Sequence, residues 1–315
     1  MQPGRRVNEA VDPVASFFSQ VRAAAGAAGA AFDAAPAGTV KLRIDRDAAA
    51  RLAAAIETLA AGEAVASEPR VRLFHALMKP LLDEGTVDLS KRLGEACDMG
   101  MSNAAVRSVL TEINEAYVIP AGLEITSHGL LRSFRFWSWD EKTAYLRHTA
   151  ELIALLRDEF GQACLAYGAV LSYERSGDLS PHDDDLDVLV GLDMQAAPTF
   201  GTGVERVSGF LSEAGYDVVG RWPAFIKVRR PQMRSDIDVF VGLNERGHLA
   251  SIPGPRGVIP WGALFPAREG ELYGVTLAVP AQAQRYLELV YGASWRTPQP
   301  GWQHRWDYPR YADIT

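Results

Sequence analysis

Cysteine is scarce in this chain: there are two in 315 residues, Cys97 and Cys164. Their spacing matches no metal-binding or redox motif, so a disulfide framework and a thiolate metal site are not expected. Both read as small buried hydrophobes in a reducing compartment. Long apolar runs are missing too. Nowhere do eighteen apolar residues follow one another, so no transmembrane segment is expected. The basic residues within 1–6 have no apolar stretch of signal-peptide length behind them, and the expected location is cytoplasmic. A basic excess is also lacking. The formal net charge is −7, and without a basic patch to neutralise phosphates, long nucleic acid is not an expected partner.

What is present is patterned. Residues 22–38 are rich in alanine and glycine and read as a weak helix or tether, so 1–38 is expected to be a flexible N-terminal segment. A short strand-like run at 40–44 precedes helical patterns at 47–60, 71–82 and 103–115, which predict a mainly helical accessory domain over 39–139. Aromatic and polar residues alternate over 133–139, the period-two signal of a strand or edge. Apolar residues at helical spacing over 140–160 introduce a third region, 140–315. There the pattern predicts strands at 163–167, 185–190, 216–219, 225–229 and 237–243, with a helix near 204–214. The fold class expected is α+β, a mixed sheet flanked by helices.

Two of these strands carry acids in an unusual way. In His182-Asp183-Asp184-Asp185-Leu186-Asp187-Val188-Leu189-Val190, strand alternation sends Asp185 and Asp187 to one face and Leu186, Val188 and Val190 to the other. In Ser235-Asp236-Ile237-Asp238-Val239-Phe240-Val241, Asp236 and Asp238 repeat the device. Carboxylates about 7 Å apart on one strand face repel and raise each other's pKa unless a cation lies between them. Mg2+, or Mn2+ in its place, fits such an oxygen-rich site and leaves coordination positions for substrate phosphate. An isolated Asp-Asp-Asp run is ordinarily a solvated turn. A second acidic strand from the same sheet changes that reading, because three or four carboxylates at one point are what two-metal phosphoryl transfer needs.

These residues resemble the LicD family of phosphotransferases, which includes the fukutin-related proteins and belongs to the nucleotidyltransferase superfamily. The resemblance runs over 145–298. It is carried by Tyr167-Gly168-Ala169-Val170-Leu171 with Arg175 and Gly177, by Pro181-His182-Asp183-Asp184-Asp185-Leu186-Asp187, and by Asp238-Val239-Phe240. Further matches are Leu264-Phe265-Pro266, Tyr273-Gly274-Val275, Val279-Pro280, Tyr286-Leu287 and Tyr291-Gly292 ahead of Trp295 and Pro298. Ala169 stands where the family has a hydroxyl residue, and His182 where it has tryptophan.

The resemblance implies a nucleotidyltransferase-like fold over 140–315. Asp185 and Asp187 would be paired metal ligands, and Asp238 the third carboxylate, with Asp236 as a further candidate ligand. It implies transfer of a phosphorylated small alcohol, such as phosphocholine or a polyol phosphate, from a CDP-linked donor to a glycan hydroxyl. The place implied for that reaction is cell-surface polysaccharide biosynthesis. Two alternatives stay open: transfer of a nucleoside monophosphate to a small molecule or protein, and a non-catalytic nucleotide-binding scaffold of the same fold.

Other residues carry paired readings. Gly168 lets backbone amides approach a phosphate, or is only a turn at a strand end. Arg175 and Lys227 neutralise donor phosphates, or are solvated cations. His182 serves in proton transfer or in a structural hydrogen bond. Trp295, Trp302 and Trp306 pack the C-terminal tail or form a stacking platform for a base or sugar.

Overall fold

A computed structural model of the chain describes residues 12–33, 41–126, 128–231, 233, 235–299 and 304–315. Trp302 and residues 34–38 of the alanine-rich stretch lie outside these. The chain divides into two compact units, residues 1–136 and 137–315.

In the first unit, α1 (Pro13–Ala28) leads to a short antiparallel pair, β1 (Phe32–Asp33) and β2 (Arg43–Ile44). Then follow α2 (Arg46–Ala60), α3 (Glu63–Ala66), α4 (Pro69–Glu84), α5 (Leu89–Asp98) and α6 (Asn103–Ile113), and a second pair, β3 (Glu124–Thr126) and β4 (Gly129–Leu131). Local chemistry explains the boundaries. Asp45, Asp88 and Ser102 each accept a backbone N–H at a helix start, satisfying a donor that has no partner inside the helix. Helix α1 buries Val14, Phe17 and Val21, and Phe17 meets Phe74 of α4 edge-on at 5.8 Å. Residues 22–28 therefore complete a packed helix. Cys97 is exposed, which corrects the expectation that both thiols are buried; Cys164 is buried.

The second unit opens with α7 (Trp139–Phe160). Ser138 and Glu141 form a capping box at its start, and Gly161 ends it in the left-handed conformation. That cap fixes the helix entry, so the alternating aromatics at 133–139 form a short 3-10 turn, Phe134–Phe136, and not the expected strand. The order continues β5 (Gln162–Leu165), α8 (Tyr167–Ser176), β6 (Leu186–Asp193), α9 (Phe200–Glu213), β7 (Asp217–Arg221), β8 (Phe225–Arg229), β9 (Ile237–Glu245), β10 (His248–Ala250), β11 (Ile259–Pro260), the hairpin β12 (Arg268–Leu272) and β13 (Val275–Val279), and α10 (Ala283–Tyr291). Strand β5 stops at Leu165, so Tyr167 and Gly168 open a helix and do not close a strand.

Seven of these strands make one sheet, mixed as expected. Strand β6 pairs parallel with β9 and antiparallel with β5; the other edge of β9 takes β8 and then β10, both antiparallel. Strands β6 and β9 are apolar on both faces over 188–192 and 239–243, as sheets covered on both sides must be. Helix α9 crosses one face so closely that a Cβ at Gly203 would lie 2.7 Å from Val241 and 3.1 Å from Leu192. On the opposite face a Cβ at Gly191 would meet Phe265 and Trp261 at 2.7 Å. The acids lie on that second face.

Candidate active site

Parallel pairing of β6 with β9 sets Asp187 directly opposite Asp238, and antiparallel pairing of β8 with β9 sets Lys227 opposite Asp238. Residues in register share a face, so one row across three strands reads acid, acid, base. Asp185, two residues before Asp187 and just ahead of β6, is tied to the row through Lys227. The Lys227 ammonium lies 2.7 Å from Asp185 Oδ2 and 2.7 Å from Asp238 Oδ1. The two carboxylates are thus close enough for one cation to bridge them. Immediately before, Asp183, Asp184 and Asp185 each present a carboxylate oxygen, all within 4.8 Å of one another.

Asp187 is held differently. Its Oδ2 accepts the backbone N–H of Gly168 at 2.8 Å, at the start of α8, where unpaired amides give the helix end partial positive charge. A Cβ at Gly168 would approach that oxygen to 3.1 Å, so only glycine lets the backbone come this near without displacing the carboxylate. The turn into α8 is tight: Tyr167 has φ +39°, a conformation L-residues seldom adopt. It is fixed by an N–H bond to Tyr286 Oη at 3.2 Å and a hydroxyl contact with Ser251 Oγ at 2.7 Å.

The charges are unbalanced. Burial, then Asp185, Asp238 and Asp183 in turn, push the Asp187 carboxyl well above its ordinary pKa, and the Gly168 amide opposes them only in part. Burial pulls the Lys227 ammonium down, but Asp185 and Asp238 outweigh it and hold the lysine protonated. One ammonium faces three carboxylates, with two more in the preceding turn. This donor set of hard oxygens with excess negative charge fits a divalent cation such as Mg2+ or Mn2+; Asp185, Asp187, Asp238 and the oxygens of Asp183 and Asp184 could hold it.

A buried tyrosine ties the two acidic segments together. Tyr145 of α7 accepts the Leu186 N–H at 3.0 Å and donates to the Asp236 carbonyl at 2.6 Å. Ser235 Oγ donates to the Asp184 carbonyl. The sequence gives Tyr145 only as an apolar position of a helix; its hydroxyl role depends on the sheet packing behind it.

The other candidates are placed elsewhere or otherwise occupied. Asp236, just ahead of β9, pairs its carboxylate with Arg229 at 2.5 Å. Arg175 donates its Nε to the Trp295 carbonyl at 2.5 Å. His182 is exposed in the turn ahead of the acids. Trp295 is buried and Trp306 is exposed. Asp183 and Asp184, which the sequence offers only as part of an acidic run, join the oxygen cluster.

No protein-family model and no curated protein matches the chain. Among solved structures it is similar to the antibiotic-resistance factor ANT(2'')-Ia in solution, at 14% identity over 55% of this chain and 83% of that one, with a TM-score of 0.34. It is similar to ANT(2'')-Ia in complex with adenylyl-2''-tobramycin, at 14% identity over 55% and 85%, with a TM-score of 0.33. It is also similar to the lincosamide antibiotic adenylyltransferase LnuA bound to lincomycin, at 13% identity over 53% and 94%, with a TM-score of 0.32. At that distance the chemistry of the site has to be read from its own residues.

Proposed function

We propose that the second unit is the catalytic domain of a metal-dependent transferase acting on a nucleotide-linked phosphate. One observation carries the reading: Asp187 and Asp238 stand in register on adjacent parallel strands, with Asp185 joined to Asp238 through Lys227. Purely structural ion clusters tend to balance; this one keeps an excess of carboxylate against a helix start.

In this reading Asp185, Asp187 and Asp238 would hold the cation, whose positive charge would serve to neutralise the donor phosphates and favour departure of the leaving phosphate. Asp238 would either complete that cation site or, in place of ligating, accept the proton of the attacking acceptor hydroxyl. Lys227 supplies a fixed positive charge at the same point for a donor phosphate. Gly168 orients Asp187 through its amide, and Tyr145 holds the segments bearing the acids at a fixed separation. Catalysis of this kind is positioning plus electrostatics. The finer reading follows the sequence resemblance: a phosphorylated small alcohol passes from a CDP-linked donor to a glycan or other small-molecule hydroxyl, and CMP leaves.

The test is product analysis with donor labelled in its base, in Mn2+, for the native chain and for Asp187→Ala. Free labelled monophosphate supports the phosphotransfer reading, and label retained on the acceptor indicates nucleotidyl transfer instead. Asp187→Ala is expected to lose at least about a hundredfold in kcat, the scale of removing one electrostatic element of a transition-state site, while keeping a native far-UV spectrum. Near-native turnover would remove Asp187 from the chemistry.

A further inference from the structure

The sheet face that carries the acids continues as a column of aromatic rings. Two residues on from Asp238 is Phe240, and two residues before Lys227 is Phe225, its register partner. Their rings stack at 4.8 Å with an interplanar angle of 19°. Trp222, in the turn from β7 to β8, extends the column: its indole stacks on Phe225 with an interplanar angle of 1° and ring centroids 4.5 Å apart. The Trp222 N–H donates to the Phe225 carbonyl at 2.9 Å and fixes that turn. At the inner end, Tyr167 meets Phe240 edge-on at 4.8 Å. Tyr167 directly precedes the glycine whose amide holds Asp187.

Burial changes sharply along the column. Phe240 and Phe225 are 4% and 8% exposed, whereas Trp222 is 41% exposed, and Trp306, tilted against Phe225 at 5.8 Å, is 43% exposed. Two large indoles are left partly in water beside one buried ring, although burying them would be favourable. The position of Trp222 is also built into its neighbours. Gly220 is the register partner of Lys227, and a Cβ there would collide with the edge of the indole. The indole edge therefore lies along the Lys227 position, and 41% of the residue stays open to solvent.

Resting on the transferase reading, we propose that Trp222 is the nucleobase platform of this site, the base of the donor stacking as the next ring of the column. Its phosphates would then run back across β8 toward Lys227 and the carboxylates. Adjacent strands lie about 4.8 Å apart, so the indole is some two to three spacings from Asp187 and Asp238, the reach of a nucleoside carrying two or three phosphates. Every base offers a π-face, so stacking fixes the donor's position and leaves the choice of base to other contacts.

The experiment uses the full chain with Mn2+ and two probes, CTP and inorganic tripolyphosphate, titrated by calorimetry and by tryptophan fluorescence. Trp222→Ala is expected to weaken CTP by about tenfold or more, the scale of losing one base–aromatic stack, and to leave tripolyphosphate binding unchanged. Trp222→Phe keeps a ring in place. It should retain most of the CTP affinity while losing the fluorescence quench that CTP produces in the native chain. Native CTP affinity in Trp222→Ala, equal weakening of both probes, or an undiminished quench in Trp222→Phe each overturns the platform alone. Failure of the native chain to bind either probe overturns the transferase reading and the platform together.

Discussion

Asp187 is the residue whose protonation a bound cation should alter most. Its folded pKa is raised above the ordinary 3.8, so in metal-free protein its stabilising contribution is complete below that value. It is lost as pH rises through the raised folded pKa. A cation on the carboxylate would oppose the shift, since it stabilises the charged form that burial and the neighbouring acids disfavour. We expect the melting temperature measured in chelator to fall, relative to that measured in Mn2+, as pH is raised from about 4, and Asp187→Asn to abolish the difference. Superimposable pH curves with and without metal would count against a cation at this carboxylate. His304, pushed down to about 4 by burial, titrates in the same range but contributes to both curves and cancels in the comparison.

The acids at this scale were legible because strand alternation alone puts Asp185 beside Asp187 and Asp236 beside Asp238. Which acids meet depends on pairing that alternation does not contain. The register sets Asp238 opposite Asp187 and leaves Asp236 with Arg229. Trp222 gave no signal, since its stacking on Phe225 exists only once β7 and β8 fold back on each other.

Elements differ in how much of them a sequence displays. Helix α7 announces itself through Ser138, Glu141, its apolar stripe and Gly161. Strands β6 and β9 are marked by acids running into continuous apolar residues. Helix α8 was hidden, because its first turn depends on the positive φ of Tyr167, which tertiary contacts to Tyr286 and Ser251 enforce. Hairpin β12–β13 was hidden by charge, with Arg268, Glu269 and Glu271 interrupting its first strand. Tyr145 joins elements that sequence reasoning treats separately. Tyr145→Phe keeps the ring and strands the Leu186 N–H and the Asp236 carbonyl, at a cost of about 1–3 kcal/mol for a buried polar group left unpaired. The expected result is a lower melting temperature together with weaker Mn2+ binding by calorimetry. A variant that loses stability but binds Mn2+ as the native chain does would reduce Tyr145 to a packing residue.

For the molecule as a whole, an acidic chain without a basic field suits a small ligand held by a few aimed groups. If the carboxylates bind a cation only when folded, metal must add to global stability by mass action, about 2.7 kcal/mol at a hundred times the dissociation constant. For a domain of this size each kcal/mol raises the melting temperature by roughly 2–4 °C. Saturating Mn2+ should therefore raise it by several degrees and chelator should reverse the change. No shift at millimolar metal would argue that Lys227 alone satisfies the acids.

The parallel pairing of β6 with β9 has a further consequence. Sliding one strand past the other by a single residue would turn Asp187 or Asp238 toward the side packed by α9 and bring Val188 or Val239 out among the acids. The proposed chemistry and a dry interior thus demand the same alignment, and a misthreaded chain is penalised twice. Turnover in a refolded sample would then report that this one pair of ribbons has met in its proper phase.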